Sequence, residues 1–266
     1  KQPLSRQLYV IGAGDSFGMT LGTSEEFFPS VPEIKAWTRI SYGGTADVMV
    51  GDDYYQAAEI SVDTNFFKFF DYRLTGCPKD NVLENEDEVI LSESFAKKVF
   101  GNEDPIGRTL SVDKSKWTVV GVVEDFGPVD VFEHCDMFTS IKRAQKRFAW
   151  MDNFGNTIPI VRLDEGPDVE KVRDDLLKKY LGYWNFYKAD NSNNAFLWGA
   201  SVTRLDKVYF SDLESYSCIR TGDKKQVGLL FIVALVLLIS AIFNYINLTV
   251  AQTGKRAKEM ATRRLL

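Results

Sequence analysis

The sequence has very few residues of the types that build metal centres, redox sites or nucleotide sites. It contains one histidine, His134, and three cysteines, Cys77, Cys135 and Cys218. None of the cysteines lies in a Cys-x-x-Cys pair, so neither a zinc ribbon nor a thioredoxin-like motif is supported. The spacing leaves open whether two of the three pair. The sequence also has no Gly-x-x-x-x-Gly-Lys-Ser/Thr loop, so any ATP hydrolysis must belong to another subunit.

Two short motifs suggest chemistry but do not support it. Gly12-Ala13-Gly14 resembles the start of a dinucleotide fingerprint, but Phe17 occupies the third glycine position. His134 and Cys135 are adjacent, and adjacent side chains point apart on a strand or a helix. They are therefore not a ready nucleophile–base pair or metal site, and His134 more simply caps local structure. We expect no catalytic, cofactor-binding or metal site, and hence no enzyme.

The charge distribution is the first positive feature. Residues 255–266 contain five basic residues and one acidic residue, a net charge of +4. Since the whole chain has a formal net charge of −5, residues 1–254 carry −9. An acidic body argues against nucleic-acid binding. With 45% hydrophobic and 26% charged residues, the composition is that of a globular protein with a substantial core.

A long uncharged segment decides the class of protein. No charged residue occurs in 226–254, and 227–250 reads VGLLFIVALVLLISAIFNYINLTV. About 20 apolar residues cross the hydrocarbon core of a bilayer, and buried core helices are usually shorter and rarely apolar on every face. We therefore predict a transmembrane helix at 227–250. Basic residues are more numerous after it than before it, which predicts 1–225 outside the cytosol and 255–266 inside.

Asn244 and Asn247 lie toward the C-terminal end of this helix. They are either interfacial residues near the lipid headgroups or partners for hydrogen bonds to neighbouring helices. The second interpretation implies further helices. No export signal precedes Lys1, so we expect the chain to be cut from a longer protein with an earlier helix.

The body alternates strand-like and helix-like segments, which predicts an α+β fold. Gly43-Gly44 and Gly51-Asp52-Asp53 are predicted turns between strands. Asp63 is a predicted N-cap for a short phenylalanine-rich helix. Ser92 or Ser94 is predicted to cap the next helix, and Gly101 to end it. A third helix is predicted to open at 166–168. The predicted strands are Ala36–Ser41, Ala46–Val50, Tyr54–Ser61, Val89–Leu91, Trp117–Val123, Ile158–Leu163 and Ala200–Val208.

Several motifs, in this order, resemble the FtsX-like permeases of the MacB type, in the divergent form common in Bacteroidetes. Their order and spacing cover most of residues 60–260. The motifs are VDTNFF (62–67), VILSESFA (89–96), NEDPIGR (102–108), VVGVVEDF (119–126), LDKVYF (205–210), FNYINL (243–248) and KRAKE (255–259).

This resemblance implies a two-lobed extracytoplasmic domain at 1–225, with a porter-like lobe and a smaller inserted lobe at roughly 1–145 and 146–212. The domain lies in the periplasm, followed by the transmembrane helix in the bacterial inner membrane. Residues 255–266 then form a cytosolic coupling segment. The implied partners are a separate ATP-binding subunit, a second permease copy or a paralogue, and a periplasmic or outer-membrane protein. The residues implied to contact the ATPase are Lys255, Arg256, Lys258, Glu259, Arg263 and Arg264.

The mechanism that follows is mechanical: cytosolic ATP binding moves the coupling segment, the helix passes the motion outward, and the outer lobes rearrange. Two other functions stay open. A membrane-anchored regulatory adaptor would bind a cell-envelope enzyme or sensor and transport nothing, and a single-span receptor would need no ATPase. The basic residues at 255–266 also have two explanations that need no partner protein: they fix the orientation of the helix in the membrane, or they contact anionic lipid.

Overall fold

A computed structural model of the chain describes residues 7–13, 16–17, 21–112, 115–127, 130–147, 157–164, 166–188, 200–211 and 218–265. The chain divides into two compact units, 1–221 and 222–266. The first unit contains the sheet and five of the helices described below, and the second is one long helix.

The strands of the first unit belong to one sheet. They are β1 Leu8–Ala13, β2 Ser16–Phe17, β3 Ile34–Val50, β4 Asp53–Val62, β5 Leu74–Thr75, β6 Glu88–Ser92, β7 Thr109–Val112, β8 Ser115–Val123, β9 Met137–Ser140, β10 Thr157–Leu163 and β11 Ala200–Arg204. In order of hydrogen bonding they run β11-β1-β10-β3-β4-β9-β6-β8-β5, with β2 beside β1 and β7 beside both β3 and β8. Most pairs are antiparallel, but β4–β9 and β6–β8 are parallel.

The helices pack on this sheet, except for the last one. They are α1 Leu21–Phe27, α2 Phe66–Phe70, α3 Glu93–Phe100, α4 Ile141–Arg147, α5 Val169–Lys188 and α6 Lys224–Leu265. Short 3-10 helices follow α1 at Phe28–Ser30 and β11 at Leu205–Phe210. The predicted α+β class is confirmed: a sheet-rich mixed domain precedes the one candidate membrane span found in the described ranges.

Strand pairing closes part of the sheet into a barrel. Because β7 pairs with both β3 and β8, the six strands β3, β4, β9, β6, β8 and β7 form a continuous ring. One hydrophobic cluster serves this barrel lobe; it includes Val48, Leu91, Trp117 and Val119, with Phe95 from α3. Strands β11, β1, β2 and β10, with the first half of β3, form an open sheet lobe, and the short β5 pairs with β8 outside the ring.

Of two further clusters, one covers a face of the sheet lobe and the other covers the opposite face and extends onto the barrel strands β4, β6, β8 and β9. One joins β1 and β10 to Phe28, Val172 and Leu176 from the helical segments. The other contains the phenylalanines of α2, which are fully or almost fully buried beside Tyr72, Phe132 and Phe138. The phenylalanine run therefore has the core role that its composition indicates.

The glycine pair Gly43-Gly44 is not a turn, contrary to prediction. The chain continues through it as one 17-residue strand, β3, whose register with β4 shifts between Tyr42 and Gly44. Glycines inside a strand mark bulges and close approaches as well as turns. Gly44 has a φ of 89°, and a Cβ on Gly43 would lie 2.8 Å from the Glu59 side chain. The local backbone and packing therefore favour glycine at both positions.

The capping role predicted for Asp63 is also wrong. The residue that precedes α2 is Asn65, and its side chain makes no capping hydrogen bond. The Asp63 carboxylate instead accepts hydrogen bonds from the backbone and the guanidinium of Arg39. Because the buried Arg39 binds the Asp63 carboxylate oxygens, they are not available to cap α2.

Three local predictions are confirmed. Ser92 Oγ accepts a hydrogen bond from Phe95 N at the start of α3, and Gly101 follows its last residue. Asp168 Oδ1 likewise accepts one from Lys171 N at the start of α5. The lobe boundary near residue 145 stays a prediction, and the sheet itself runs across it because β10 pairs with β1 and β3.

Candidate functional site

A row of buried hydroxyl groups crosses the sheet between the two lobes. Thr157 on β10 lies opposite Ser41 on β3, Ser41 opposite Ser61 on β4, and Ser61 opposite Thr139 on β9. Directly opposed residues share a face of the sheet, so the four hydroxyls form one transverse line. All four residues are buried. We call these residues, together with Glu59 and Arg143, the polar seam.

Hydrogen bonds give the row a direction. Thr139 Oγ1 donates to Glu59 Oε1 over 3.0 Å, and Thr139 Oγ1 and Ser61 Oγ are 2.9 Å apart. A hydroxyl has one proton to donate, and Thr139 uses its own on the carboxylate. Ser61 must therefore donate to Thr139, so both hydroxyls point toward Glu59.

Helix α4 covers this part of the sheet, packing on β3, β4 and β9. Its Arg143 places Nε 3.8 Å from Glu59 Oε1 and its guanidinium carbon 4.1 Å from the centre of the Trp117 ring. Trp117 belongs to the barrel core. Arg143 thus supplies positive charge to the buried carboxylate and anchors α4 to the barrel lobe by a cation–π contact.

Two lysines fix the outer side of α4. Lys142 Nζ donates to the carbonyl oxygen of Glu84 at 2.9 Å, and Lys146 Nζ pairs with the carboxylate of Glu86 at 2.7 Å. The acidic 84–88 segment therefore contacts α4 through two surface lysines.

A second buried charge cluster lies on the same strand, two residues before Ser41. The Arg39 guanidinium bonds both carboxylate oxygens of Asp63 and one of Glu25, and lies 5.0 Å from the Trp37 ring centre. Burial alone would lower the pKa of Arg39, but the hydrogen bond and the charge of Asp63 raise it overall. Arg39 is therefore a permanent buried cation.

His134 and the cysteines are not assembled into a reactive site. His134 Nε2 lies 2.7 Å from Asp136 Oδ1 on the surface, whereas Cys135 is buried and its thiol donates to the carbonyl oxygen of Met137. All three cysteines are free thiols. Burial raises the pKa of Cys135 well above its usual value and that of Cys218 to about 12, so neither is a ready nucleophile.

The NEDPIGR motif forms a loop between two shallow grooves of about 760 and 360 Å³. Ile106 borders both, and its side chain comes within 2.6 Å of where a Cβ on Gly76 would lie. Gly107 has a φ of 77° and its N–H bonds the carbonyl oxygen of Val119. The motif therefore holds the loop on β8, and among the described residues no group of His, Cys, Asp or Glu is arranged to hold a metal ion.

The second unit has the length and composition of a membrane helix. Residues Lys224–Gly254 of α6 form a 31-residue candidate span, and none of its most apolar window is buried within the described structure. Thr249 and Thr253 each bond a carbonyl oxygen one turn earlier in α6. Asn244 and Asn247, three residues apart and so on one side of α6, are exposed.

The residues predicted to contact an ATPase all lie on the last turns of α6. Arg263 is exposed there. The other five follow the helical backbone, but their side chains lie outside the described part of the chain: Lys255, Arg256, Lys258, Glu259 and Arg264. No contact of the described residues tests their predicted role.

The sequence did not reveal the polar seam or the Arg39 cluster. Arg39 and Glu59 sit in strand-like runs, where a charged residue normally faces water. The one available signal was Gly43-Gly44 between two such runs, since a glycine in a strand also marks a close approach.

Known proteins match the first unit. A family model of the MacB-like periplasmic core domain matches residues 2–179. The macrolide export ATP-binding/permease protein MacB of Neisseria meningitidis serogroup A is 25% identical over 179 residues, which cover 65% of this chain and 26% of that protein. The Aggregatibacter actinomycetemcomitans protein of the same name is 40% identical over 47 residues, 18% of this chain and 7% of that protein. The matched region is thus about a quarter or less of these relatives.

Solved structures share the fold. A domain of a putative permease from Porphyromonas gingivalis superimposes with a TM-score of 0.61 at 20% identity, covering 81% of this chain and 95% of that one. The periplasmic region of MacB from Actinobacillus actinomycetemcomitans gives 0.56 at 16% identity, with 77% and 92% coverage. Since the family model also matches well over half of the residues, this chain belongs to the family of MacB-like periplasmic core domains, and its assignment to the MacB-like ABC-transporter permeases is confirmed.

Proposed function

We propose that this chain is part of the permease of an ABC transporter, and that its extracytoplasmic domain couples ATP hydrolysis in the cytosol to export or to other work in the periplasm. The observation that carries the proposal is the unbroken α6, which has 42 residues. At 1.5 Å per residue it is ~63 Å long, about twice the hydrocarbon thickness of a bilayer. Such a helix can transmit a displacement from one side of the membrane to the other.

We further propose that residues 1–225 lie in the periplasm, 227–250 cross the bacterial inner membrane, and 255–266 lie in the cytosol. The larger number of basic residues after the span supports this orientation. So does the likeness of the first unit to the periplasmic region of MacB. Asn244 and Asn247 then pack against further helices, because an amide in lipid needs a hydrogen-bond partner.

The energy source of this assembly is an ATP-binding unit, which we propose is a separate subunit, as the resemblance to the FtsX-like permeases implies. The permease pairs with a second copy or a paralogue, and a periplasmic or outer-membrane protein completes the assembly. The side chains proposed to contact the ATP-binding subunit are Lys255, Arg256, Lys258, Glu259, Arg263 and Arg264.

Co-purification tests the coupling. The complete permease is produced in membranes together with a candidate ATP-binding protein, unchanged or with Arg263→Glu and Arg264→Glu. The matched control is Lys224→Glu with Lys225→Glu, the same charge reversal at the opposite end of α6. We expect the unchanged protein and the control to retain the ATP-binding protein. With the Arg263/Arg264 variant, we expect the recovered amount of ATP-binding protein to be at least tenfold lower.

Equal recovery in all three preparations, or none in any, contradicts the coupling role of this segment. ATPase measurements on the recovered complex then separate the two remaining functions. A transporter changes its ATPase rate with its substrate, whereas a regulatory adaptor does so with a periplasmic protein partner and translocates nothing.

A further inference from the structure

The hydroxyl row of the polar seam has one half with hydrogen bonds and one half without. Ser61 and Thr139 bond each other and Glu59. Ser41 Oγ and Thr157 Oγ1, the next two members, are buried and have no hydrogen-bond partner among the described residues. Buried hydroxyls that lack a partner are destabilising and rare, so two on directly opposed residues point to an additional group between them.

The neighbouring hydroxyls define what that group must offer. Ser61 spends its proton on Thr139, so the Ser61 oxygen has acceptor capacity left. Ser41 and Thr157 each have a proton to donate and an oxygen to accept with. Ser61 lies two strands from Thr157, about 10 Å across the sheet, so one small molecule does not bond both. A group between Ser41 and Thr157 that can both donate and accept satisfies the two hydroxyls that lack a partner.

The spacing of the strands sets the size of the group. Cβ atoms of opposed residues on one face are about 4.5–5.5 Å apart, and a water molecule within hydrogen-bond distance of two oxygens bridges a gap of this size. Buried water sites require two to four polar partners in a polar surrounding. Ser41 and Thr157 provide two.

We propose that Ser41 and Thr157 bind a buried water molecule between them, which gives this half of the hydroxyl row the hydrogen bonds that Ser61 and Thr139 already make in the other half. The seam is therefore hydrated, whereas the clusters that serve the two lobes are apolar. The inference does not depend on the proposed coupling function.

A matched pair of substitutions tests the water site. Thr157→Val removes one partner of the water while keeping the shape of the side chain. Thr38→Val is the control, because Thr38 Oγ1 is also buried without a partner among the described residues. Thr38 lies on the opposite face of β3, beside Ile40 and opposite Ile160, and is therefore outside the hydroxyl row.

Thermal unfolding of the complete chain in detergent gives the first readout. We expect Thr157→Val to lower the Tm by at least ~3 °C and Thr38→Val to leave it unchanged or raise it by a few degrees. The direct readout is a crystal structure of the unchanged protein that resolves ordered water. Density within 3.2 Å of Ser41 Oγ and Thr157 Oγ1 supports the site.

A seam without water in that structure, with the two hydroxyls bonded to protein atoms or unbonded, overturns the proposal. So does a Tm for Thr157→Val that rises as much as that for Thr38→Val, because removal of an unsatisfied hydroxyl stabilises a protein. Since the crystal structure needs no variant, the test stands even where Thr157→Val fails to fold.

Discussion

The ion pair between Arg39 and Asp63 gives a sharp prediction about stability. Both side chains are almost entirely buried, with 4% and 12% of their surfaces exposed. Asp63→Ala leaves the guanidinium without its bidentate partner and also leaves the Arg39 backbone N–H without its acceptor. Removing one member of a buried pair costs about 3–5 kcal/mol. We therefore expect Asp63→Ala to lower the free energy of unfolding by that amount.

Glu25 provides the matched control for this prediction. It bonds the same guanidinium at 2.8 Å, but 55% of its side chain is exposed, so Glu25→Ala should cost about 0–1 kcal/mol. Urea unfolding of the chain in detergent, followed by tryptophan fluorescence, measures both, and the m value should not change. If Asp63→Ala and Glu25→Ala differ by less than ~1 kcal/mol, burial of the ion pair does not set the loss of stability and the reasoning fails.

An intermediate variant separates charge from hydrogen bonding. Asp63→Asn keeps an oxygen that can accept from the Arg39 N–H but removes the negative charge. We expect its loss of stability to lie between those of Glu25→Ala and Asp63→Ala. A loss as large as that of Asp63→Ala would mean that charge alone accounts for the effect.

Two further predictions concern alkaline pH and the strand glycine. Burial raises the pKa values of Cys135 and Cys218, so the folded chain holds protons that the unfolded chain releases above a pKa of about 8.5. Below that pH these thiols should not affect the free energy of unfolding, and above it the free energy should fall by up to ~1.4 kcal/mol per pH unit for each thiol. In urea titrations, Cys218→Ala should make this fall shallower. Gly43→Ala should cost about 1–3 kcal/mol through its clash with Glu59, whereas Gly127→Ala, which meets nothing within 4 Å, should be neutral; equal effects would contradict the close approach.

The parts of the fold that the sequence predicts correctly are those with local signals. Helix α3 has its cap in Ser92, its apolar face in Phe95 and Phe100, and its stop in Gly101, all within ten positions. The α6 span is likewise contained in one uncharged run. Such elements need no knowledge of what packs against them.

The errors arise where a distant residue competes with a local signal. Asp63 has the chemistry of a helix cap, but Arg39, 24 positions earlier, takes its oxygens. Gly43-Gly44 has the composition of a turn, but the need for glycine at Gly43 comes from Glu59, which approaches it across the β3–β4 pair. Neither partner can be chosen without the strand register.

The polar seam is the extreme case of the same limit. Its hydroxyls come from four strands between Ser41 and Thr157, and only the pairing of those strands brings them into line. Serine and threonine in strand-like runs are common and carry no signal by themselves. The row becomes visible only when the register of β10, β3, β4 and β9 is known.

The location of the seam bears on how the two lobes can move. Each lobe has an apolar cluster, and sliding such packed side chains past one another leaves voids that cost stability. At the seam the contacts are hydroxyls, a carboxylate and Arg143, whose hydrogen bonds can be exchanged for bonds to water at little net cost. Strand β3 also carries its bulge there, next to Ser41. If cytosolic work reaches the periplasm as a change between the lobes, the seam is the face of the sheet that can yield, whereas the opposite face must stay packed, because there one apolar cluster joins Ile160 of β10 to Ile60 of β4 and Phe138 of β9.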